Sequence, residues 1–186
     1  GRLEQLEDAG IVRSVPRSRG RGREYHLTAA GEELRPLIEC LGEWGQRWAR
    51  AQVGRGDLDP GLLMWDIHRR VNLEALPPER VVVRFDFRGV PATMRCPRYW
   101  WLVLERLEVD LCLKDPGFLV DIVVSTDLRT LTRVWMGDVR LAETVRAGLI
   151  RLDGPRSLVR AFPTWLTLSA FAGVERVGAA VAARPA

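Results

Sequence analysis

Apolar residues recur along this chain at two different spacings, and the change from one to the other divides it. Leu3, Leu6 and Ile11 flank a short helical stretch that Gly10 is placed to end as its C′ residue. A strand closed by Pro16, a tip loosened by Gly20 and Gly22, and the alternating strand Glu24-Tyr25-His26-Leu27 predict a β-hairpin. From Ala29 to about Ala51, Leu34, Leu37, Ile38, Leu41, Trp44, Gly45 and Trp48 return at three- and four-residue steps. That spacing predicts a helix with one apolar stripe. Thr28 is its expected N-cap, and Pro36 is expected to kink or restart it. Residues 52–59 are rich in Gly and Asp and read as a linker. Asp59 and Pro60 then suit the N-cap and first position of a helix carrying Leu63, Ile67 and Val71 on one face.

After Pro77 and Pro78 the period changes to two. Val81, Val83, Phe85 and Phe87 share one face of V-V-V-R-F-D-F, and the runs Tyr99–Leu104, Val109–Leu113 and Val120–Ser125 follow at short intervals. These predict a meander of antiparallel strands with one apolar face. Adjacent Trp100 and Trp101 must point to opposite faces of their strand. A helix with Asp127 as N-cap is expected to reach Met136 and stop at Gly137, and a second spans Leu141 to Ala147 before Gly148. A last strand, Leu149–Leu152, a turn at Asp153-Gly154-Pro155 and a closing helix from Arg156 to about Trp165 complete the pattern. Periodicity fades from Gly173 onward, and residues 171–186 are expected to form a disordered tail.

Charge adds one feature. Arg13, Arg17, Arg19, Arg21 and Arg23 fall within a stretch that contains no acid, in a chain whose net charge is only +4. Arginine keeps its charge and offers a planar fork to phosphate or a narrow minor groove, so the hairpin tip is a candidate contact for a polyanion. A solvated basic loop without a partner is the plainer alternative. Of the 28 basic residues only Lys114 is a lysine, a bias that suits a GC-rich genome and weakens any argument built on arginine over lysine.

Other classes gain little support. No apolar run approaches the ~20 residues of a membrane span. Cys40, Cys96 and Cys112 lack paired spacing and fit reduced thiols in a cytoplasm. His26 and His68 are too few and too scattered to suggest a metal site, and no cofactor is expected. No G-x-S-x-G, P-loop or dinucleotide fingerprint is present, Asp110 and Asp121 sit in strands where they should face solvent, and no catalytic residues are expected.

The wording of the first third is specific. L-x-x-L-x-x-A-G-I-V-R, then E-Y-x-L-T-x-A-G-x-E-L, then L-x-x-W-G-x-R-W closely resembles the HxlR-type branch of the MarR-like bacterial transcriptional regulators, over roughly residues 1–50. The resemblance implies the second half of a winged-helix domain, residues 1–51, that contacts double-stranded DNA through Arg2, Arg13, Arg17, Arg19, Arg21 and Arg23. It also implies a homodimer in which the long helix presents Leu37, Leu41, Trp44 and Trp48, although intramolecular packing would also shelter that stripe. Gly1 falls in what looks like the middle of the family's recognition helix. The chain therefore reads as a fragment that would need the upstream helices to select a DNA site.

Residues 60–170 resemble the sterol carrier protein type 2 fold, most specifically from Thr126 to Gly154, where D-L-x-T-L-x-x-V-W-x-G precedes G-x-I-x-L-x-G-P. The resemblance implies an α+β domain whose mainly antiparallel five-stranded sheet is covered by helices around an apolar interior for lipid or another apolar small molecule. Phe85, Phe87, Trp101, Phe118, Trp135 and Phe162 are the candidate lining, with ordinary core packing as the alternative for each. Together the two resemblances point to a cytoplasmic one-component regulator with an effector domain. The rival is a lipid carrier that uses the winged-helix part only to dimerise.

Overall fold

The computed structural model describes residues 1–16, 22–49, 58–89 and 97–175. The chain forms two compact units, Gly1–Ala51 and Gln52–Gly173. The expected linker lies largely outside the described residues, as does the tail beyond Glu175.

In the first unit, α1 (Arg2–Asp8) leads into a two-stranded antiparallel sheet of β1 (Val12–Pro16) and β2 (Arg23–Leu27), and then into α2 (Ala29–Trp44). Gly10 turns the chain out of α1 at φ +70°, a conformation in which an L side chain would be strained. Thr28 caps α2 as expected, its hydroxyl oxygen accepting from Gly31 N–H at 3.2 Å and donating to the Gly10 carbonyl at 2.6 Å. Gly31 allows the helix to start this close to the hairpin, because a Cβ there would lie 2.2 Å from the Ile11 carbonyl oxygen. Pro36 does not restart the helix. α2 continues past it, since one missing donor removes one bond from a 16-residue helix, and then widens into a π-helical turn at Gly45–Ala49.

The second unit places α3 (Pro60–Arg69), α4 (Leu128–Trp135) and α6 (Arg156–Trp165) against one face of a five-stranded sheet, with the short α5 (Leu141–Arg146) after α4. The strands are β3 (Val81–Arg88), β4 (Tyr99–Leu104), β5 (Val109–Cys112), β6 (Ile122–Asp127) and β7 (Arg151–Asp153), in the order β5-β4-β3-β6-β7. Asp59 caps α3 by accepting from Gly61 and Leu62 N–H, with Pro60 at the helix start. Phe171 and Ala172, expected in the tail, belong to this body through hydrogen bonds to Ser169 at 3.3 and 3.1 Å.

The expected meander needs correcting. β6 pairs with β3 in parallel, Val83 opposite Ile122, while the other pairs are antiparallel. A parallel neighbour cannot be reached by a tight turn. Residues 113–121 therefore cross behind the sheet from edge strand β5 to the far side of β3, a distance of roughly 14 Å for three strand spacings. Asp121 anchors the far end, its N–H donating to the Val82 carbonyl and its Oδ2 accepting from Val82 N–H at 2.8 Å. Val120 thereby packs on Val82, Trp101 and Val103, which form a second buried cluster opposite the helices.

Candidate functional site

The hairpin register sets Arg13 opposite His26, Ser14 opposite Tyr25 and Pro16 opposite Arg23. Strand alternation then places Arg13, Glu24 and His26 on one face. Arg13 and His26 are exposed there, as Arg2 is on α1. Arg17, Arg19 and Arg21 lie outside the described residues. Arg23 has a role that its place in the arginine run did not suggest. Its Nε donates to Ser14 Oγ at 2.8 Å and its Nη2 reaches the Ser14 carbonyl at 3.4 Å. Ser14 in turn donates to Glu7 from its hydroxyl at 2.5 Å and from its N–H at 3.2 Å. Those two bonds, with Arg23 nearby, hold the Glu7 carboxyl below its ordinary range. Arg23 thus braces Ser14, the residue that ties the hairpin to α1. Glu7 and Ser14 gave no sign of this in the sequence, because only the folded hairpin brings residues 7, 14 and 23 together.

On α2 the apolar stripe stands in solvent: Leu37, Ile38, Leu41 and Trp44 are 55–65% exposed. Trp48, in the π turn, is half-buried beside buried Gln46. A contiguous apolar surface on a folded unit is costly to leave bare.

In the second unit, Phe85 and Phe87 from β3, Trp135 from α4 and Phe162 from α6 meet in one buried cluster. Two expected members are absent from it. Trp101 belongs to the cluster behind the sheet, and Phe118 is 43% exposed on the crossover with the Arg80 guanidinium 4.1 Å from its ring centre. Their places are taken by Trp100, which shares strand parity with Leu102 and Leu104, and by Trp165, one helical turn beyond Phe162. Both signals are present in the sequence. Two of the cluster's indoles are anchored, Trp135 Nε1 donating to Asp66 Oδ2 at 2.7 Å and Trp100 Nε1 to the Pro97 carbonyl at 2.9 Å.

The Thr126–Gly154 signature is structural. Asp127 ends β6 and caps α4, accepting from Thr130 N–H at 2.9 Å and from Thr130 Oγ1 at 2.7 Å. Buried Thr126 donates to the Leu149 carbonyl, as does Arg88. Burial pushes the Asp127 carboxyl up, but the Thr130 bonds and Arg88 outweigh it and hold the group below its ordinary value of 3.8. Its contribution is therefore complete above that value and lost as pH falls through the lower folded-state value. Asp127→Ala should cost about 1 kcal/mol at neutral pH and Asp127→Asn much less, since asparagine also caps. In urea unfolding, the gap between wild type and Asp127→Ala should begin to narrow as pH falls below about 4; a gap independent of pH would contradict the contribution of the carboxylate's charge.

The HxlR-like helix-turn-helix family model covers the whole hairpin and α2. It matches residues 1–53. No curated protein matches the chain. Among solved structures, the chain is similar to an inverting sec-alkylsulfatase from Pseudomonas sp. at 16% identity and TM-score 0.46, covering 61% of this chain and 17% of that one. It is also similar to the ubiquinone synthesis protein UbiJ-SCP2, at 18% identity and TM-score 0.40, over 71% of this chain and 95% of that chain. The palmitated SCP2L2 of Aedes aegypti matches at 17% identity and TM-score 0.42, over 56% and 91%. The chain thus spans under a fifth of the alkylsulfatase's length. In the HxlR-like segment the match includes both hairpin strands and the exposed stripe of α2. Among the described residues no helix is long and apolar enough to cross a membrane.

Proposed function

We propose that this chain acts in a homodimeric, DNA-binding transcriptional regulator whose second unit takes up an apolar effector. The match of residues 1–53 to the HxlR-like helix-turn-helix family carries the reading. Arg2 and Arg13 supply exposed positive charge beside the hairpin, and Arg17, Arg19 and Arg21 add to the arginine run at its tip. Self-pairing through α2 would shelter Leu37, Leu41 and Trp44 and give the two-fold symmetry that a palindromic site requires. The second unit supports effector binding with an aromatic-rich interior of Phe85, Phe87, Trp100, Trp135, Phe162 and Trp165. An effector that binds one arrangement of the paired DNA-reading units better than another would shift DNA affinity.

The competing reading, a carrier that uses the first unit only to dimerise, draws support from Arg23, which is engaged by Ser14 instead of standing free. Salt dependence separates the two. The variant carrying Arg13→Ala, Arg17→Ala, Arg19→Ala and Arg21→Ala should bind a mixed-sequence duplex more weakly, with a log–log salt slope shallower by about 0.9 for each phosphate it no longer neutralises. Fluorescence anisotropy over a salt series measures this. An unchanged slope would favour the carrier.

A further inference from the structure

We infer that Trp165 is the polar anchor of the apolar site in the second unit, and that the ligand is an uncharged aliphatic molecule bearing an oxygen acceptor, such as an alcohol, ketone or ester. This rests on the effector-binding reading and specifies its chemistry. Trp165 closes α6 and is only 1% exposed. Its carbonyl accepts from Asn72 N–H at 2.8 Å, and the bridge between Val71 and Leu166 fixes the chain beside it. The indole lies edge-on to Phe162 at 5.8 Å between ring centres, and Phe162 lies 6.4 Å from Phe85. The ring is therefore held deep in the aromatic interior, yet its Nε1–H has no acceptor among the described residues.

The other two tryptophans of this cluster set the contrast. Trp135 and Trp100 are buried as well, and each donates to a nearby oxygen. A buried donor without a partner forfeits its hydration and receives nothing in return. Phenylalanine would occupy most of the same space without that cost; buried Trp101, behind the sheet, also lacks an acceptor, but Trp165 is the unpaired indole that lies within the aromatic interior, where an arriving acceptor would meet it. The surroundings also decide the acceptor's charge. The buried polar residues of this unit are Thr126, Thr144 and Ser169, and no buried cation stands among the described residues. An ionised carboxylate would go uncompensated there, whereas a neutral oxygen needs only the one donor.

Decanol and decyl chloride test this, because they share a chain length and chlorine is a poor acceptor. Binding of each is measured by titration calorimetry to the full chain and to its Trp165→Phe variant. The variant should bind decanol roughly three- to tenfold more weakly, the worth of one neutral hydrogen bond, and bind decyl chloride unchanged. Equal loss for both would mean that Trp165 only packs, which overturns the inference and leaves effector binding intact. If wild-type protein binds neither, the effector reading fails and the inference with it. Should Trp165→Phe not fold, the Trp165 indole N–H resonance of the wild-type chain gives the answer. It should move downfield with decanol and not with decyl chloride, and the same response to both, or to neither, would overturn the assignment.

Discussion

Replacing Leu37, Leu41 and Trp44 together by glutamate is expected to convert a dimer of this chain into a monomer while leaving the protomer folded. All three are more than half exposed, so charging them takes little from the protomer's own stability. Glutamate is also a good helix former, and α2 should persist. In a dimer the same positions would face their copies. Burying a large apolar side chain contributes about 1.5–3 kcal/mol, so losing three should raise the dimer dissociation constant by at least about a thousandfold. Sedimentation velocity over a concentration series reads this directly. Arg35→Ala, which only breaks the surface pair with Glu32, is the control and should leave association unchanged. A wild-type chain that stays monomeric at high concentration would remove the dimer from the proposed function, and the stripe would then serve another partner.

The second prediction concerns the interior. Phe85→Ala should destabilise the second unit by about 3–5 kcal/mol, because the side chain is fully buried against Phe162 and its removal leaves a cavity between β3 and α6. Phe118→Ala removes an aromatic of the same size from the exposed crossover, where the main loss is the stacking of Arg80 on the ring, and should cost under about 1 kcal/mol. Both were equal candidates for an apolar lining in the sequence, so the pair tests the assignment. Urea unfolding followed by tryptophan fluorescence measures the difference. Comparable losses at the two sites would mean that the crossover is as tightly packed as the helix-covered face.

Exposure of the α2 stripe follows from the hairpin's position. The first turn of α2 is seated on the hairpin through Thr28 and Gly31, and Gly31 is the only residue of that helix that is buried. Among the described residues of the first unit none covers Leu37 or Leu41, so their periodicity marks an amphipathic helix without naming its partner. The same limit applies to Arg23. Its charge was visible in the sequence, and its engagement with Ser14, which in turn bonds Glu7, was not.

What the sequence determined by itself was local. Thr28, Asp59 and Asp127 were identifiable as caps because a short polar side chain before an apolar helical run has few other uses, and each caps its helix. The closing helix, Arg156–Trp165, and the inward face of β3 were equally legible, since helical and strand periods act over a few residues. Tertiary structure decided everything that depends on which strand lies beside which. The parallel pairing of β3 with β6 forces a crossover behind the sheet, and that crossover buries Trp101 away from the helices and leaves Phe118 at the surface. Alternation shows that Trp100 and Trp101 face opposite ways, but a period of two is the same whichever face the helices cover. The unpaired indole of Trp165 is decided in the same way, because an acceptor for a buried donor comes from residues distant in sequence, as Asp66 does for Trp135.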